Sequence, residues 1–103
     1  MHLISRAMLI AYCEHNTQAT EPLLEWAYKI KLSNAKSLHE LRESFTNSVD
    51  SVGKYTVFNI GGNAYRLITT IHYNRQKVYT RAIWTHAEYS KRINQMKLLN
   101  GGT

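Results

Sequence analysis

A chain of 103 residues, 44% hydrophobic and 19% charged, holds one compact domain with a single modest core and leaves no room for a second. Its one cysteine, Cys13, excludes an intramolecular disulfide and a thiolate cluster for structural zinc, and it suits a reducing cytoplasm. The net charge is +6 and unevenly spread: residues 1–52 set Arg6, Lys29, Lys31, Lys36 and Arg42 against six acids, whereas residues 53–103 set Lys54, Arg66, Arg75, Lys77, Arg81, Lys91, Arg92 and Lys97 against Glu88 alone. A basic half of this kind is the footprint of a nucleic-acid-binding surface, although a solvated charged face gives the same count.

The apolar run 7–12 after Arg6 is too short to cross a bilayer and no small-residue cleavage site follows it, so neither an export signal nor a membrane anchor is expected. Leu3, Ile4, Ala7, Met8 and Ala11 recur at helical spacing and predict a first helix. Thr20-Glu21-Pro22 starts a second, with the proline tolerated in the first turn, and Leu23, Trp26, Ala27 and Ile30 form its apolar stripe. Ser37-Leu38-His39-Glu40 has capping-box spacing and predicts a third helix that buries Leu38, Leu41 and Phe45.

After Gly53 the residues become β-branched and aromatic at strand density, over 55–60, 64–73 and 76–84. Gly61-Gly62 and Asn74-Arg75 are read as two-residue turns. Those turns predict Val57 opposite Arg66, Arg66 opposite Ile83 and Ile68 opposite Arg81. One face then carries Tyr55, Val57, Asn59, Arg66, Ile68, Thr70, His72, Lys77, Tyr79, Arg81 and Ile83, and is open. The other carries Phe58, Ile60, Tyr65, Leu67, Ile71, Val78, Ala82 and Trp84, and is the core. Arg66 and Arg81 become diagonal neighbours whose repulsion a bound phosphate would relieve. Thr85-His86-Ala87-Glu88 again has capping-box spacing, so a short last helix begins with His86 and Tyr89 on one face of its first turn. The fold class is α+β: N-terminal helices (1–52) on a small antiparallel sheet of about three strands, then a C-terminal helix (53–99 with the sheet) and a flexible tail (100–103).

The segment Val57-Phe58-Asn59-Ile60-Gly61-Gly62-Asn63-Ala64-Tyr65-Arg66-Leu67-Ile68 resembles the FNIGGNxYRL signature of HigB-type toxins, and Thr85-His86-Ala87-Glu88-Tyr89 resembles their THxEY signature. Arg81 falls where that family has an arginine, and Trp26 and the run 37–42 followed by Phe45 are similar to its helical region. Ser90, where many relatives have Asp, and Trp84, where a smaller residue is common, depart from the pattern. The resemblance implies a RelE-like fold, cleavage of mRNA in the ribosomal A site, and restraint by a HigA-like helix-turn-helix antitoxin in a hetero-oligomer.

Metal-free RNA cleavage needs a base for the ribose 2′-hydroxyl, cations for the charged phosphorane and an acid for the departing oxygen. Arg66 and Arg81 are candidates for the phosphate, His86 for proton transfer and Tyr89 for positioning or stacking, making these four the candidate catalytic residues. Lys54, Asn63, Lys77 and Tyr79 are the candidate RNA contacts, with Lys54 expected at a strand end on the core side. No metal ligand set and no cofactor are expected. Each residue also has an ordinary structural reading: solvated strand arginines, a histidine at a helix start, a glycine-rich hairpin turn. The other class of function compatible with the same face is a non-catalytic RNA- or DNA-binding module. A transcriptional repressor finds no support, because the near-neutral helical half lacks a basic recognition helix.

Overall fold

The computed structural model describes residues 1–45 and 48–91. Strand β1 (His2–Ile4) leads into α1 (Arg6–His15); a 3₁₀ turn (Thr17–Ala19) precedes α2 (Thr20–Leu32), followed by α3 (Leu38–Phe45). The remaining strands are β2 (Val49–Val52), β3 (Tyr55–Ile60), β4 (Tyr65–His72) and β5 (Lys77–Thr85), and α4 (His86–Ser90) ends the described chain. The expected tail at 100–103, the continuation of the last helix toward 99, and Arg92 and Lys97 lie outside the described residues. Among those residues no helix is long and apolar enough to cross a membrane.

The sheet has five strands in the order β1-β5-β4-β3-β2, and it is mixed, because β1 runs parallel to β5 while every other pair is antiparallel. The expectation of about three antiparallel strands therefore missed two short edge strands, both inside the segment read as helical. Leu3 and Ile4 belong to β1, and Ser5, in the left-handed conformation at φ 68°, separates them from α1. The Thr80 hydroxyl donates to the Ser5 carbonyl at 3.0 Å and holds that turn against β5. The inner face of α1 accordingly differs from the one expected: Leu9 is buried, with Tyr12 and Cys13 packed beside it, whereas Ala7, Met8 and Ala11 face outward.

Helices α2 and α3 follow their sequence stripes. Leu23, Trp26 and Ile30 of α2 and Leu41 and Phe45 of α3 pack on Phe58, Ile60, Leu67, Val78 and Ile83 of the sheet. Phe58 is fully buried between Trp26 and Phe45, with ring centroids 5.2 and 5.1 Å away in edge-to-face contact. At the start of α3 the Glu40 amide donates to the Ser37 hydroxyl at 3.2 Å, while the Glu40 carboxylate accepts from the Lys36 amide at 3.1 Å instead of from Ser37. Thr85 forms the full reciprocal box at α4: the Glu88 amide donates to its hydroxyl at 3.2 Å, and its own amide donates to Glu88 Oε1 at 2.8 Å.

Two features correct the predicted register. The β3–β4 connection holds four residues, 61–64, so Ile60 pairs with Tyr65 and Arg66 lies opposite Asn59, not Val57. A slip of two residues leaves every side chain on its expected face. The β4–β5 pairing starts as expected, with His72 opposite Lys77, but a bulge between Ile68 and Thr69 makes Arg81 an extra residue. Beyond it Ile68 pairs with Ala82, not Arg81, and Arg66 with Trp84, not Ile83. Ile83 thereby turns into the core, and Ala82 and Trp84 turn out of it. The face expected to be open is partly covered, because Tyr55, Val57 and Ile68 are buried in a small cluster with Val52, Ala82, Trp84 and Tyr89.

The packing around Phe58 yields a stability prediction. Phe58→Ala should lower the free energy of unfolding by about 3–5 kcal/mol in urea titrations, against about 1 kcal/mol for Thr85→Ala at the cap. A loss below 1 kcal/mol at Phe58 would mean that the three-ring contact is not the centre of the core.

Candidate active site

The site is built by the residues that join β3 to β4 and β5 to α4. Gly61 and Gly62 both take positive φ, 62° and 67°, which lets the loop turn tightly. The Ala64 carbonyl then accepts the His86 amide at 2.8 Å, pinning the first residue of α4 to the hairpin loop. Arg66 reaches back over the same loop. Its Nη2 donates to Asn63 Oδ1 at 2.7 Å, and its Nη1 donates to the carbonyls of Asn63 and Tyr65, each at 3.2 Å.

The same Nη2 lies 3.0 Å from Nδ1 of His86. A guanidinium can only donate, so this contact is a hydrogen bond when Nδ1 accepts and the ring proton sits on Nε2. The guanidinium also lies over the Tyr89 ring, with Cζ 5.6 Å from the centroid. Arg66 is 8% exposed, so its side chain does not project into solvent as expected for an open face. Its charge is carried by a fixed set of acceptors, which is what burial of an ion requires.

Arg81 sits in a different environment. Its Nε donates to the Thr70 hydroxyl at 3.0 Å and its Cζ lies 5.2 Å from the Tyr79 ring centroid, in an exposed position. His72 meets the same ring edge-on at 5.3 Å, and Lys77 pairs with His72 in the next row of the sheet. Arg66, Asn63, His86 and Tyr89 thus come together at one end of the face, while Arg81, Tyr79 and Lys77 gather at the other. The two arginines are not the diagonal neighbours that the unbulged register predicted. Lys54, expected on the core side, is exposed in the β2–β3 turn with Nζ 5.5 Å from the Tyr55 ring centroid.

Two residues near the site escaped the sequence reading. Trp84, assigned to the core, packs against Tyr89 with centroids 6.3 Å apart. Asp50, opposite Val57 on β2 and 3.7 Å from Arg42, acts electrostatically on Tyr89. Burial pushes the Tyr89 phenol above its ordinary value, Asp50 adds to the rise and Arg66 opposes it. Tyr89 therefore stays a neutral hydrogen-bond donor at physiological pH. A phenol with a raised folded value holds its proton more tightly in the folded protein, so its contribution to stability is complete below about pH 10 and is lost as pH rises through the folded value. Burial raises Tyr12 and Tyr73 as well. Urea midpoints should fall between about pH 9 and pH 11, and Tyr89→Phe should flatten part of that fall; identical profiles for the two proteins would remove Tyr89 from the set.

The family model for HigB, a RelE-like toxic component of a toxin-antitoxin system, matches residues 19–92, which include α2 through α4. The chain is 33% identical over 92 residues to the mRNA interferase toxin HigB of Escherichia coli strain K12, covering 86% of this chain and 88% of that protein. The mRNA interferase HigB of Shigella flexneri shows the same identity and coverage. The mRNA interferase HigB of Escherichia coli O6:H1 is 30% identical over 95 residues, 88% of this chain and 90% of its own. The chain belongs to the HigB family of RelE-like toxins from toxin-antitoxin systems.

Proposed function

We propose that this toxin is an mRNA endoribonuclease that stops translation by cutting mRNA in the ribosomal A site of the cytoplasm, and that a HigA-like helix-turn-helix antitoxin neutralises it in a hetero-oligomer. Family membership and the names of the relatives support the activity. The observation that carries the chemistry is the 3.0 Å contact between Arg66 Nη2 and His86 Nδ1.

The reaction is attack of the ribose 2′-oxygen on the adjacent phosphorus. The P–O5′ bond breaks, the 2′-hydroxyl proton passes to a base, and a second proton goes to the departing 5′-oxygen. The products end in a 2′,3′-cyclic phosphate and a 5′-hydroxyl. A phosphate oxygen is a stronger partner for a guanidinium than a neutral imidazole is. When a phosphate takes Arg66, the His86 Nδ1 loses its donor and becomes free to accept the 2′-hydroxyl proton. One movement of one side chain thus meets the phosphorane charge and uncovers the base. Tyr89, which keeps its proton, stacks on Arg66 in the free protein and can donate to the substrate or stack on a base. Arg81, Lys54, Lys77 and Tyr79 lie where RNA beyond the scissile bond would run, and Asn63 holds Arg66.

His86→Ala should lower cleavage on programmed ribosomes by about 10²- to 10⁴-fold. Cleavage by the unaltered toxin should persist in EDTA when polyamines keep the ribosomes intact, and the products should carry the cyclic phosphate. Brief induction in cells should arrest growth and create new mRNA 5′ ends within codons, and the cognate antitoxin should reverse both. Intact transcripts after induction would point instead to a binding module without catalysis, and a His86→Ala protein that cuts at the original rate would remove the imidazole from the mechanism.

A further inference from the structure

The bulge in β5 divides the site face in a way that a regular strand would not. Tyr79 and Arg81 lie on this face before the bulge, and Ala82 and Trp84 return to it after the bulge, so side chains of opposite parity share one surface. Between the two ends runs the row Val57, Ile68 and Ala82, which is apolar, with Val57 and Ile68 buried. Thr70, the partner of Arg81, is four residues from Arg66 on β4, about 13 Å along the strand. A phosphate held by Arg66 is therefore not the phosphate that Arg81 meets where it stands.

We propose that Tyr79, His72 and Arg81 form a second RNA subsite, which holds a nucleotide of the single strand away from the scissile bond, its base against Tyr79 and its phosphate on Arg81. This rests on the ribonuclease reading above and moves Arg81 from the reacting phosphate to substrate binding. Three observations support it. Tyr79 is braced by the Arg81 cation at 5.2 Å and the His72 ring at 5.3 Å, so little side-chain freedom is left to lose when a base stacks there. Arg81 is exposed and, among the described residues, gives only its Nε, to Thr70, whereas Arg66 is buried and gives both terminal nitrogens to Asn63, Tyr65 and His86. Strands β1, β4 and β5 contain no Asp or Glu, and Lys77 lies in the row beyond, between His72 and His2, so nothing on these strands repels a phosphate. Aromatic and basic side chains side by side on a sheet face suit a single strand better than a duplex, because each base can expose a face for stacking.

The test is an abasic scan of an mRNA on programmed ribosomes, with the full-length toxin and its Tyr79 variants. One abasic ribose outside the scissile dinucleotide should raise KM for the unaltered toxin by about tenfold, and Tyr79→Ala should raise KM on the intact mRNA by a similar factor. The two losses should not add, and Tyr79→Phe should restore binding, because stacking does not need the hydroxyl. If the unaltered toxin cuts but no distant abasic position matters, or if Tyr79→Ala leaves KM as it was, the subsite is overturned while the ribonuclease reading stands. If the unaltered toxin cuts no mRNA at all, the ribonuclease reading falls, and the subsite with it.

Discussion

The hairpin loop at residues 61–64 anchors both members of the proposed reactive pair, Arg66 and His86. Its backbone accepts the His86 amide at Ala64, and the carbonyls of Asn63 and Tyr65 take Nη1 of Arg66. Burying a guanidinium is costly unless its donors find acceptors, and these backbone oxygens, the Asn63 side chain and the His86 ring take both of its terminal nitrogens. The spacing between Arg66 and His86 is therefore set by a backbone turn that two positive-φ glycines permit. Loop, capping box and imidazole form one unit: the Thr85 box starts α4 where the loop can reach it, and α4 in turn carries Tyr89 over the guanidinium.

The face around that unit combines two chemistries. At the Arg66 end a buried guanidinium, packed on the Tyr89 ring, points a donor at an exposed histidine. At the Arg81 end an exposed cation tied to Thr70 lies against a tyrosine that His72 braces from the side. The apolar row of Val57, Ile68 and Ala82 separates the two ends. Helices α1, α2 and α3 lie on the opposite side of the sheet from α4, so the packing around Phe58 backs the strands that carry the site.

Much of this was legible in the sequence where the signal is local. The capping box at Thr85 was readable because its two partners are three residues apart, and the α2 stripe because Leu23, Trp26 and Ile30 share one helical face. The co-location of Arg66, His86 and Tyr89 followed from the matched signatures. What was hidden depends on pairing between distant segments. Strands β1 and β2 have three and four residues and too few apolar side chains to stand out, and each is a strand only because a longer neighbour offers it an edge. The bulge has no glycine to mark it, so Arg81 read as one more alternating residue. That single extra residue sent Ile83 into the core, brought Trp84 to the site and separated the two arginines. The burial of Arg66 was equally hidden, because it depends on where the loop carbonyls point.

The central claim is that Arg66 occupies the proton-accepting nitrogen of His86 until a phosphate draws the guanidinium away. Nitrogen-15 NMR of the His86 ring tests it directly, in the free toxin and in a complex with RNA lacking the 2′-hydroxyl at the cleavage position. In the free protein Nδ1 should be unprotonated and hydrogen-bonded, with the proton on Nε2, and the RNA should remove the Arg66 contact and change the Nδ1 signal. A proton on Nδ1 in the free protein, or a ring unaffected by RNA that is demonstrably bound, would contradict the account.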